Sequence, residues 1–204
     1  TDDDKSFRQW GLDAPKMVMR TNTHHTLYVV ADNGETAALS VQALPVADDP
    51  DKGTLVTAIA PFMAGHTLKI IFSAPVDMAE EDGYIMSVSQ MGMVKRSLLS
   101  DLPGPSANLF TLVKINNGDS LSTLLFTKGG QDVFITTKDG MGIRFNEEEV
   151  RAMGLVAAGV NGIKLRKGDV VIGAGNASQR GEILLVTNRG SATRLAPDLF
   201  PTQG

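Results

Sequence analysis

A turn glycine with a strand-like run on either side recurs four times in this chain, and its neighbours recur with it. The plainest copy is EILLVTNRGSATRL, residues 182–195, where β-favouring residues from Ile183 to Thr187 run into Asn188, Arg189 and Gly190. Asn and Gly tolerate the positive φ of a tight turn, so the stretch predicts a hairpin. Three further copies occupy residues 26–39, 84–97 and 132–145. Aligned on Gly34, Gly92, Gly140 and Gly190, each has a small residue three positions earlier: Ala31, Ser89, Thr137, Thr187. Seven positions earlier stands an aliphatic one: Leu27, Ile85, Val133, Ile183. Ten positions later come Leu44, Leu102, Val150 and Phe200. A shared register in a repeat places equivalent side chains on equivalent faces, so the four aliphatic positions are expected to be buried.

A second set of glycines, Gly65, Gly118 and Gly168, repeats with nearly the same period. It separates strand-like runs at 54–62 and 67–74, at 108–115 and 121–128, and at 159–165 and 170–175. About 50 residues holding about four strands is the arithmetic of a propeller blade. The expected fold is all-β and propeller-like, with about four four-stranded blades. The repeats lie near 17–74, 83–128, 132–175 and 182–204, after a linker or tag remnant at 1–16. Residues 17–20 read as a short strand, and 146–153 as a helical turn capped by Asn146 with favourable acidic residues behind it. The fourth hairpin is not followed by its partner strands, so the expectation is a segment of a longer array, forming an open arc.

Composition excludes more than it assigns. Cysteine is absent, which removes disulfides and thiolate metal sites and suits a reducing compartment. No apolar run approaches the roughly 20 residues of a membrane helix. A net charge of −4 argues against a uniformly basic surface while leaving room for a local basic stripe. The glycine-containing run 173–178 leads straight into the next strand, with no helix to receive a dinucleotide pyrophosphate. His24 and His25 point to opposite faces of a strand, His66 sits in a separate turn, and the acidic clusters near 48–51, 80–82 and 147–149 fall in different loops. No catalytic set, metal site or cofactor site is expected.

The basic residues are more informative. Four positions after each hairpin glycine come Ala38, Arg96, Arg144 and Arg194; Lys95 precedes one of them, and Lys138 and Arg189 lie in the turns. Equivalent positions in successive blades project equivalently, so these charges are expected to line one rim as a stripe. Such a stripe suits a phosphate backbone, whose contacts require positive charge and no base reading. The candidate DNA-binding set is Lys95, Arg96, Lys138, Arg144, Arg189 and Arg194, the alternative being that exposed strand positions carry arginine for solubility.

Residues 143–174, IRFNEEEVRAMGLVAAGVNGIKLRKGDVVIGA, resemble the C-terminal domain of the bacterial DNA gyrase A protein and its topoisomerase IV relative, as do residues 182–194 and 83–119. The resemblance spans roughly residues 17–204. It implies a β-pinwheel that wraps double-stranded DNA and presents it for strand passage. It also implies a parent type IIA topoisomerase, bacterial and cytoplasmic, whose partners are the rest of the gyrase A protein and a B-type ATPase component. ATP and Mg would serve that parent enzyme and not this chain, whose resemblance includes neither the breakage tyrosine nor the ATPase site. Two features depart from the family pattern. The first repeat reads DNGETAAL where basic residues are usual, and the glutamine- and arginine-led, glycine-rich box that marks gyrase proper is absent. The rival reading is a propeller-like protein-interaction module that leaves DNA unbound.

Overall fold

The computed structural model describes residues 17–48, 53–78, 83–177 and 181–203. The proposed linker at 1–16 and most of the acidic loops at 49–52 and 79–82 lie outside the described residues. Among the described residues thirteen strands form four antiparallel sheets. In the first unit β1 (His25–Ala31) and β2 (Glu35–Ser40) make the hairpin, and β3 (Leu68–Pro75) pairs with β1. The second unit repeats this with β4 (Tyr84–Ser89), β5 (Met93–Leu98) and β7 (Leu121–Thr127). The third does so with β8 (Asp132–Thr137), β9 (Gly142–Asn146) and β11 (Val171–Asn176). The fourth is the hairpin of β12 (Ile183–Val186) and β13 (Ala192–Leu195). No strand pairing among the described residues joins the fourth sheet to the first.

All four hairpin turns are alike. The amide of Gly34, Gly92, Gly140 and Gly190 donates to the carbonyl of Ala31, Ser89, Thr137 and Thr187 at 3.0–3.1 Å. The glycines lie at φ between +79° and +85°, while among the described residues no other residue type adopts positive φ, Asn188 included. The small residue of the motif has a specific task. The hydroxyls of Ser89, Thr137 and Thr187 accept the amides of Met93, Met141 and Ser191 at 3.0–3.2 Å, closing the turn from its side chain. Ala31 offers no such acceptor.

Four strands per repeat is corrected in one respect. The fourth strand of each complete sheet comes from the next unit: β6 (Phe110–Thr111) pairs with β2, and β10 (Val160–Asn161) pairs with β5. The runs 108–115 and 159–165 therefore leave their own sheet to complete the preceding one. The exchange continues to the turn, where Leu112 N–H donates to Gly34 O at 3.0 Å and Gly162 N–H to Gly92 O at 2.8 Å.

The cores lie between sheets. In the second and third hairpins one face packs on the preceding unit and the other on the following unit. Tyr28 and Val30 join Ile85, Leu99 and Leu121 in the first seam; Met86 and Val88 join Val133, Ile135 and Phe145 in the second. Ile85 and Val133 are buried as expected, and Leu27 and Ile183 partly so. Sheet one has no preceding sheet among the described residues. Its remaining face, Leu27, Val29 and Ala37, is covered by Val56, Ala60 and Met63. This is why residues 54–62, expected as a strand, instead form α1 (Val56–Ile59) and enter a 3-10 turn, Pro61–Met63. The expected strand at 17–20 is irregular, whereas the turn after Asn146 is present as a 3-10 helix, Glu147–Glu149, capped by the Asn146 side chain.

Two glycines with equal φ should respond differently to substitution. A Cβ at Gly34 falls on the Val113 carbonyl of the donated segment, whereas one at Gly65 meets open space. Gly65→Ala should cost about 1–2 kcal/mol, the left-handed penalty alone. Gly34→Ala should cost more, because it also displaces the exchanged strand; equal urea midpoints for the two variants would contradict this.

Candidate nucleic-acid interface

The position four after the turn glycine pairs in register with the position six before it: Tyr28 with Ala38, Met86 with Arg96, Phe134 with Arg144, Leu184 with Arg194. Directly opposed residues share a face. Here that face looks onto the following unit, so the expected stripe of exposed arginines is corrected. Arg96 and Arg144 are buried.

Arg96 Nη1 stands 3.5 Å from Glu147 Oε2 of the third unit, with its guanidinium 4.4 Å from the centroid of the Tyr84 ring. Glu147, wholly buried, also accepts from Thr127 Oγ1 and from the Gln131 amide at 3.0 Å. Arg144 binds Asp132 Oδ2 at 2.7 Å and reaches Asp198 of the fourth unit at 3.4 Å. These arginines are struts between units. At the equivalent place in the first seam, Ala38 lies in one apolar cluster with Leu99, the register equivalent of Glu147.

Lys95 is also buried and is withdrawn from the candidate surface. Its Nζ donates to the carbonyl oxygens of Leu112, at 2.6 Å, and Leu155. Burial without a bound carboxylate lowers its pKa to about 8, which the more distant Asp101 only partly offsets.

Lys138 and Arg189 are exposed in their turns. Arg194 is exposed and pairs with Glu182 of its own hairpin at 3.0 Å. Lys114, Lys164, Arg166 and Lys167, absent from the candidate set, are exposed around the second glycine turns. The signal for them was the glycine register itself, since Lys114 and Lys164 are equivalent positions.

These second turns are held against the hairpin turns. Asp119 Oδ1 accepts the Met91 amide at 2.8 Å, and Asp169 Oδ1 accepts the Asp139 amide at 3.0 Å. Burial opposes ionisation of Asp169. The Thr137 hydroxyl and the amides of Asp139 and Val170 outweigh it, holding the carboxyl below its ordinary range. His66 replaces this aspartate in the first unit and lies 3.3 Å from Glu35. Among the described residues no three His, Asp or Glu side chains converge as a metal site would require, and no helix is long and apolar enough to cross a membrane.

A family model described as the DNA gyrase C-terminal domain, beta-propeller, matches residues 83–128 and 131–178. The DNA gyrase A protein of Salmonella typhimurium is 32% identical over 89% of this chain, and the chain spans 20% of that protein's length. The solved C-terminal domain of DNA topoisomerase IV superposes with a TM-score of 0.79 at 25% identity, covering 90% of this chain and 57% of that one. A DNA gyrase A C-terminal domain superposes with a TM-score of 0.73 at 20% identity, over 90% of this chain and 58% of that one.

Two predictions test the buried groups. Arg96→Met should destabilise by about 3–5 kcal/mol by leaving Glu147 buried without its cation. Adding Glu147→Leu should recover part of the loss in a urea double-mutant cycle, because it recreates the apolar pairing of the first seam. Strictly additive effects would exclude the coupling. For Lys95 the unfolded chain holds its proton more tightly than the folded one. Stability should therefore rise with pH from about 8 to about 10, by on the order of 1–3 kcal/mol. Lys95→Met should flatten that rise; an identical rise in the variant would assign it elsewhere.

Proposed function

The chain belongs to the DNA gyrase C-terminal domain family, and from that premise we propose that it binds and wraps double-stranded DNA as the C-terminal part of a type IIA topoisomerase of the gyrase A kind. The observation that carries this reading is the match to gyrase A proteins over most of the chain, on an array of like units. An arc of repeated sheets presents the same edges at regular intervals, and a polyanion that follows such edges must bend. Exposed cations at Lys138, Arg189 and Arg194 supply sequence-independent phosphate contacts; the buried Lys95, Arg96 and Arg144 keep the units in line.

The parent protein, on this reading, belongs to a cytoplasmic, nucleoid-associated bacterial enzyme. The rest of the gyrase A protein cleaves DNA, and a B-type component supplies ATP hydrolysis with Mg. This chain contributes the DNA path and no bond-making step. The acidic first unit, where Asp32 and Glu35 occupy the turn, favours a protein partner as the second reading for that unit alone.

The test is a mobility shift with linear duplex DNA at low and moderate salt. A second arm ligates nicked circular DNA with and without the chain. The expected outcome is a salt-weakened shift together with a changed linking-number distribution. A shift without a change in linking number would reduce the role to binding. No shift at low salt would favour the protein-interaction module.

A further inference from the structure

The turns of successive units are bonded into a belt. Within each unit the residue two before the hairpin glycine donates to the segment after the second turn: Asp32 to Thr67 O, Gln90 to Ser120 O, Lys138 to Val170 O, at 2.7–2.9 Å. Between units the same residue's carbonyl accepts from the next: Leu121 N–H to Asp32 O at 2.8 Å, Val171 N–H to Gln90 O at 2.9 Å. Three double turns therefore sit side by side along one edge of the array, tied by main-chain bonds that do not depend on side-chain identity.

Their side chains differ in charge. The first double turn carries Asp32, Asn33, Glu35, Ala64 and His66, and the second carries Gln90, Met91, Asn116 and Asn117, with Lys114 just before it. The third carries Lys138 and Asp139 on one turn and Arg166 and Lys167 on the other, with Lys164 just before it. Lys138, Arg166 and Lys167 are all exposed. The Asp169 carboxylate, spent on backbone amides, fixes one turn against the other. The three cations thus stand on one rigid platform, with Asp139 as the single exposed anion on its turns.

Resting on the DNA reading above, we propose that this third double turn is the principal phosphate-contacting surface of the chain. The belt then has a direction: a duplex engages at the third unit and loses attraction toward the first. Phosphate contacts need positive charge that solvent and DNA can reach, which this platform supplies and the buried arginines do not.

The test measures affinity for a short duplex DNA fragment between about 50 and about 200 mM salt. The Lys138→Ala, Arg166→Ala, Lys167→Ala variant should make the log–log salt slope shallower by about 2.7, from about 0.9 per contact. A control removing three other exposed cations, Lys69, Lys128 and Arg151, should leave most of the slope in place. In the opposite direction, Asn116→Arg with Asn117→Lys copies the third turn onto the second and should steepen the slope by about 1.8. All these positions are exposed, so thermal midpoints should be nearly unchanged. Wild-type binding with an unaffected triple variant, or with an equal loss in the control, overturns the location while the DNA reading stands. Absence of wild-type binding removes both.

Discussion

Everything in this array depends on a main-chain hydrogen bond made at a glycine. The carbonyls of Gly34 and Gly92 receive the amides of Leu112 and Gly162, so the first two hairpins are finished by backbone from the unit that follows. The glycine has two reasons to lack a side chain. Its φ is left-handed, and the incoming strand occupies the space a Cβ would need. Gly140 and Gly190, where no strand arrives among the described residues, keep the φ and have open space around them. The turn conformation is thus intrinsic to each unit, and the close approach is added by exchange.

From this exchange the rest follows. A sheet completed by its neighbour places its apolar faces against neighbours too, so the hydrophobic clusters lie in the seams. The first unit shows what happens when a face has no neighbouring sheet: residues 54–62 abandon the extended form and cover it. Burial outweighed the β propensity of Thr54, Val56, Thr57 and Ile59, as tertiary context commonly does.

The fold was largely legible in the chain because turn glycines and aliphatic register are local. The two glycine sets predicted both families of turns, and positive φ is found at every one of those glycines. Strand exchange was not legible, since a strand of two residues such as Val160–Asn161 carries no periodicity that names its partner. The basic residues were misplaced for a different reason. Their equivalence was correct, but the face was not, and the face was readable: hairpin pairing sets Arg96 opposite Met86 and Arg144 opposite Phe134, both apolar. The turn cations Lys164, Arg166 and Lys167 stand in the register of the second glycine set, which the hairpin repeat of arginines does not reach.

The three seams are joints of different material. The first is apolar at Ala38 and Leu99, the second holds a buried ion pair, and the third an ion pair whose acid, Asp198, is largely open to water. In a linear array stability is a sum over such joints. Ions in solution reach the third joint, scarcely the second, and leave the first alone, while cooling weakens the first most. Chilling and brine should therefore each find a different place at which this array begins to come apart.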